Sequence, residues 1–133
     1  MPLPLPHVIE TNFGVGAKIY LAAKAVEEGR LKVNFIDEHD HILFHFNPRF
    51  DQQSIVRNSY GDHGWAVEER EGGFPLEVDK EFQVAITNEQ PAYQVHVDEQ
   101  RFCVFAHRVD DGKVVKIQID GYGVELLAVN LVD

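Results

Sequence analysis

The sequence predicts an all-β protein, an antiparallel sandwich or barrel, and three observations carry that reading. Segments of four to seven residues rich in Val, Ile, Phe and Tyr recur along the chain, and most alternate apolar with polar positions. Turn-forming clusters such as NSYGDHG (58–64) and DDGK (110–113) separate them. No internal repeat, low-complexity tract or linker interrupts the series. Short strands at regular spacing, bounded by turn residues, are what such folds are built from. A chain of 133 residues forms one domain around a single core, so residues 1–133 are read as one unit.

The elements follow in order. MPLPLPHVIE has three prolines in its first six residues, which hold residues 1–9 as an extended, polyproline-like arm along the domain. The arm has neither a basic start nor an uninterrupted apolar run, so no secretory signal is expected. KIYLAAKAVEE (18–28) is ambiguous. Its alanine-rich composition favours helix, while Ile19, Leu21, Ala23 and Ala25 alternate as a strand would require. The all-β surroundings tip it toward strand. KVNFI (32–36), HILFHF (41–46), SIVRNS (54–59), FQVAIT (82–87), YQVHV (93–97), RFCVFA (101–106) and VVKIQI (114–119) complete the set. VDEQ (97–100) stands where a tight hairpin favours Asn-Gly, so that turn is expected to be longer or differently shaped.

Composition narrows the function. An apolar content of 44% excludes a disordered acidic tail, and no run approaches the ~18 apolar residues of a membrane span, so no membrane insertion is expected. The net charge of −10, without a Lys/Arg cluster, repels phosphate backbones and argues against nucleic acid. Cys103, the single cysteine, can form no intramolecular disulfide and lies in apolar FCVFA, which reads as a buried structural thiol made in a reducing compartment.

HFNPRF (45–50) is where the chemistry concentrates. On a strand, His45, Asn47 and Arg49 share one face, while Phe44, Phe46, Pro48 and Phe50 share the other. The apolar side anchors the strand. The polar side is a comb of imidazole, amide and guanidinium that donates and accepts in several directions, as a polyhydroxylated ligand requires. Pro48 has no amide hydrogen, so an edge strand or a bulge is expected there. Asn58 ends the next strand, and Glu68 and Arg70 alternate into a charge-assisted pair. Trp65, three residues before Glu68, reaches the same side only if a bulge or turn intervenes, for which the preceding GDHG is suited. Its ring then offers a flat platform to the C–H face of a sugar. On these grounds Asn47→Ala and Trp65→Ala are expected to remove binding with little effect on stability.

H-x-N-P-R at 45–49, V-x-N at 56–58 and W-x-x-E-x-R at 65–70 occur in that order and at compact spacing. Together they resemble the carbohydrate-recognition signature of the galectins. FPLEVDKEFQVAI, VHV…FCVFAHR and KIQIDGYGVELLAVNLV share that family's rhythm from about residue 10 to the end. The resemblance implies a two-sheet jelly-roll β-sandwich with a concave sheet that holds the sugar. It further implies that His45, Asn47 and Arg49 hold the axial 4-hydroxyl of a galactose and that Asn58 and Glu68 take the 6-hydroxyl. Glu68 and Arg70 would reach the neighbouring glucose or N-acetylglucosamine, and Trp65 would stack under the galactose ring. The expected partners are β-galactoside glycans. Pairing into a homodimer through terminal strands, and export from the cytoplasm without a signal peptide, are further family expectations. DQQS (51–54) is a short connection where many members have a longer one, and Asp51 or Gln52 is the candidate substitute for the lost contact. Arg57 alternates away from Asn58.

Other chemistries fit less well. His39, His41 and His45 have a metal-like spacing, but His39 falls in the turn-like IDEHDH and no later Glu and His complete a site, so neither metal nor cofactor is expected. Glu68 and Glu69 point to opposite faces and cannot flank one glycosidic bond. Ser54 and Ser59 lack the context of a nucleophile. The chain is therefore read as a lectin and not an enzyme. The alternative is a β-sandwich protein-interaction module that binds no sugar.

Overall fold

The computed structural model describes residues 1–132, all of them in strands, turns or irregular connections. Nine strands run in order: β1 His7–Glu10, β2 Lys18–Ile36, β3 Ile42–Arg49, β4 Ser54–Gly61, β5 Gly64–Trp65, β6 Phe82–Asn88, β7 Ala92–Val97, β8 Gln100–Ala106 and β9 Lys116–Val132. Every pairing is antiparallel. The ladder curls on itself because β2 and β9 each serve two layers. Residues 18–23 of β2 pair with β6 and, through Ala25, with 124–132 of β9, while residues 30–36 pair with β3 and with 116–122 of β9. One layer is therefore β1-β9-β2-β3-β4-β5 and the other β9-β2-β6-β7-β8. This is the two-sheet antiparallel sandwich.

Alternation builds the core. Ile19, Leu21, Ala23 and Ala25 are 0–2% exposed, so 18–28 is strand, its backbone satisfied by β6 and β9 on either side. Phe44 and Phe46 of the comb strand, and Phe50 just past its end, are buried. The Phe44 ring lies 4.9 Å from Tyr93 on β7 and 4.6 Å from Phe105 on β8, which puts the two layers face to face. Where β2 crosses between layers the register breaks between Ala25 and Arg30. A Cβ on Gly29 would stand 1.9 Å from the Tyr122 carbonyl oxygen, so only glycine permits this crossing.

Two expectations are corrected. Pro48 is neither at an edge nor at a bulge: β3 is flanked by β2 and β4, with unbroken register on both sides of Pro48. The register puts Leu31 opposite Pro48, and the Leu31 carbonyl accepts instead from Asn47 Nδ2 at 2.7 Å. A side chain thus replaces the missing backbone donor. The β7–β8 turn is also tight. Val97 pairs with Gln100, and Asp98 and Glu99 both adopt positive φ, 49° and 68°, as a two-residue type I′ turn requires. The Asp98 carboxylate accepts from the Gln83 amide at 2.8 Å, which ties this left-handed residue to the neighbouring strand.

The ends of the chain carry strand that composition alone obscured. His7–Glu10 pairs with β9, and Leu3 bridges Leu126. β9 continues well beyond Ile119, to Val132.

Candidate functional site

The β1–β5 layer bears a groove of about 620 Å³ lined by Arg30, Lys32, Asn34, His45, Asn47, Arg49, Val56, Asn58, Trp65, Ala66 and Glu68. Its floor is the comb. His45 is 6% and Asn47 2% exposed. Arg49 Nε donates to Asn47 Oδ1 at 2.7 Å, and Arg49 Nη1 donates to Gln52 Oε1 at 3.1 Å. His45 Nδ1 is engaged with Asn34 Oδ1, which makes Nε2 the ring nitrogen available to a ligand. Burial, helped by the nearby Arg49 and Lys32 charges, pushes the imidazole down to about 4, so it is neutral at pH 7; with Nδ1 donating to the Asn34 oxygen, Nε2 accepts from a hydroxyl. The three groups are oriented before any ligand arrives.

The far wall is built differently. Register puts Asn58 on β4 beside His45. Its Nδ2 donates to the Ala66 carbonyl at 3.1 Å, while its Oδ1 accepts from the Ser59 amide and from Arg108 Nη1 at 3.0 Å. β5 ends at Trp65, and residues 66–68 are irregular before Glu69 bridges Arg57. That break follows Trp65 rather than preceding it, and it brings Trp65 and Glu68 to one cleft despite their odd spacing. The indole is 52% exposed, with its ring 4.7 Å from His45 and 5.2 Å from Tyr60. An apolar plate thus stands beside the comb.

Glu68 accepts from Arg70 Nε at 2.8 Å and lies 4.0 Å from Arg49. Arg70 holds its carboxyl below the usual range, so it remains an acceptor. Of the seven expected site residues, six line the groove. Arg70 stands behind Glu68 and donates to Gln52 Oε1 at 3.1 Å. Gln52 therefore links Arg49 to Arg70, whereas Asp51 is taken by Arg30 at 2.9 Å. Glu69 turns to Arg108 at 3.1 Å, away from the Glu68 pair. His41 turns to Asp37 and Asp62, apart from His45.

Two sets of contacts escaped the sequence reading. Arg30, Lys32 and Asn34 form a second comb on β2, and the alternation in R-L-K-V-N was the available signal. Arg57 and Arg108 brace the irregular wall from beneath. Arg57, 1% exposed, donates to the Ile55 carbonyl at 2.7 Å and pairs with Glu71 at 3.2 Å over the Phe102 ring. Arg108 joins Asn58, Ser59, the Val67 carbonyl and Glu69. No local sequence pattern links Arg108 to partners 39 to 50 positions away.

Residues 4–131 match the galactoside-binding lectin family. A 32 kDa beta-galactoside-binding lectin of Caenorhabditis elegans is 36% identical over 121 residues, covering 90% of this chain and 43% of that protein. A protein of the same name from Haemonchus contortus is 34% identical over 131 residues, covering 98% and 46%. The chain thus spans less than half the length of these relatives. The crystal structure of Caenorhabditis elegans galectin LEC-6 superposes with a TM-score of 0.90 at 25% identity, covering 99% of this chain and 94% of that one. Sheep galectin-11, in complex with glycerol, shares the fold with a TM-score of 0.88 at 22% identity, covering 98% of this chain and 99% of that one.

Proposed function

The chain belongs to the galactoside-binding lectin family, and on that premise we propose that its groove binds a terminal β-galactoside without metal and without chemistry on the ligand. The single observation that carries this reading is the juxtaposition of a pre-oriented polar comb with an exposed indole in one cleft. An axial 4-hydroxyl meets His45, Asn47 and Arg49 together. The apolar face of the same ring lies on Trp65, and the 6-hydroxyl reaches Asn58 and Glu68. Glu68, held by Arg70, accepts from the next sugar. In glucose the 4-hydroxyl is equatorial and leaves the comb, so buried donors go unpaired at about 1–3 kcal/mol per group. Family membership likewise places the chain among lectins and not among catalysts.

A shallow groove of this kind holds one sugar weakly, at micromolar to millimolar dissociation constants or about −8 to −4 kcal/mol. A second site, from another copy or another domain, would raise avidity. Calorimetric titration with lactose in EDTA, with cellobiose and maltose as controls, tests the reading. Heat with lactose alone is expected. Silence at millimolar lactose overturns the assignment.

A further inference from the structure

The galactoside reading above, on which this step rests, asks Trp65 to present a flat ring face in a fixed place. Its own backbone does little to aim that ring. β5 has two residues and ends at Trp65, and residues 66–68 beyond it are irregular. The indole is half-exposed. A side chain so placed ordinarily moves among its staggered χ1 wells within nanoseconds. A ring that shows the right face for only a fraction of the time binds more weakly by that fraction. A contact outside β5 is needed to hold it.

Tyr60 stands where that contact is needed. It lies on β4, paired to Ile42 of β3 on one side and to Trp65 of β5 on the other, so its own backbone is fixed from both edges. Residues directly opposite in an antiparallel pair share a face and touch. The two rings meet edge to face, with centroids 5.2 Å apart and planes at 73°, an arrangement that aromatic quadrupoles favour. Tyr60 is 40% exposed yet is not among the residues that line the groove, so it acts on a ligand through the indole rather than by touching it. We propose that Tyr60 is a positioning residue for sugar binding: its ring holds the Trp65 indole at the angle at which a galactose face stacks, before the ligand arrives. The phenol hydroxyl has no part in this, because an edge-to-face contact needs only the ring.

The chain has one tryptophan, so indole fluorescence reports on this ring alone. Time-resolved anisotropy without sugar is expected to show overall tumbling only in the wild type and in Tyr60→Phe. Tyr60→Thr keeps strand propensity but removes the ring, and it should add a fast local component that lactose suppresses. Calorimetry should give a loss of lactose affinity of about two- to fivefold in Tyr60→Thr, the scale set by three χ1 wells. Tyr60→Phe should retain the wild-type affinity. Fast indole motion in the sugar-free wild type, suppressed by lactose, overturns the proposal whether or not a variant folds. Tyr60→Thr with wild-type anisotropy overturns it too, as does a fast component there without any loss of affinity. Equal losses in Tyr60→Phe and Tyr60→Thr also count against it, because the hydroxyl would then touch the sugar. A wild type that binds no lactose overturns the galactoside reading, while the sugar-free anisotropies still decide whether Tyr60 holds the indole.

Discussion

The two halves of the groove are held by different means. The comb lies on β3, which is laddered to β2 on one side and β4 on the other, and its side chains are pinned by Leu31, Asn34 and Gln52. The wall from Gly64 to Glu71 has two residues of strand and one bridge, and takes its position from Arg57 and Arg108 beneath it. Backbone pairing orients the half that must distinguish an axial hydroxyl from an equatorial one. Side-chain tethers are enough for the half that supplies a flat surface and one carboxylate. A rigid floor and a tethered wall should therefore respond differently to mutation.

Asn47→Ala is expected to give the largest effect, because Asn47 belongs to both site and scaffold. It leaves the Leu31 carbonyl and Arg49 Nε without their partners, so the unfolding free energy should fall by about 1–3 kcal/mol in urea titrations. Lactose heat should disappear. The hydrogen bonds of Asn47 thus argue for a larger stability loss than the small effect expected from sequence. Asn47→Ala at full wild-type stability would mean the comb is not pinned as described. Trp65→Ala is the contrast: half-exposed, it should change stability by no more than about 1 kcal/mol. Its lactose affinity should drop tenfold or more, about 1.4 kcal/mol per factor of ten. Equal stability losses in the two variants would erase the distinction between floor and wall.

That asymmetry also explains what the sequence disclosed. Period-two alternation made the strands and the facing of His45, Asn47 and Arg49 readable, because a strand dictates side by parity. The alanine-rich 18–28 looked ambiguous because local propensity says little about a strand paired on both edges. Pro48 misled because the rule against proline in central strands assumes that only backbone can satisfy the opposite carbonyl, and here Asn47 does so. VDEQ misled because Asp98 tolerates a left-handed conformation that is usually left to glycine. Parity also turned Arg57 away from Asn58, but the partners of Arg57 and Arg108 could not be read, since they are fixed by tertiary packing.

Arg108→Ala sharpens the comparison at an intermediate scale. It removes the donor shared by Asn58, Ser59, the Val67 carbonyl and Glu69, while β3 keeps its ladders. Amide exchange should accelerate at 66–70 more than at 44–49, since local opening follows loss of local contacts. Lactose affinity should fall only severalfold, through Asn58 and Glu68. Uniform acceleration across both stretches would show that the wall and floor open together.

The last effect is absent at neutral pH and concerns the imidazole of the floor. His45 is held down to about 4 in the folded chain, against an ordinary value near 6.5. The unfolded chain then binds more protons between those values, so stability rises with pH across that window. The contribution is complete above about pH 6.5, declines as pH falls through the window, and is lost below about pH 4. Lactose affinity depends on the folded, neutral imidazole, so it should stay level from pH 8 to about 5 and weaken only near pH 4. In His45→Gln the stability slope between pH 6.5 and 4 should flatten relative to wild type, whereas Trp65→Ala should retain it. A midpoint for lactose affinity near pH 6.5 would mean that His45 is solvated, and the floor would then lack the burial that keeps its imidazole neutral.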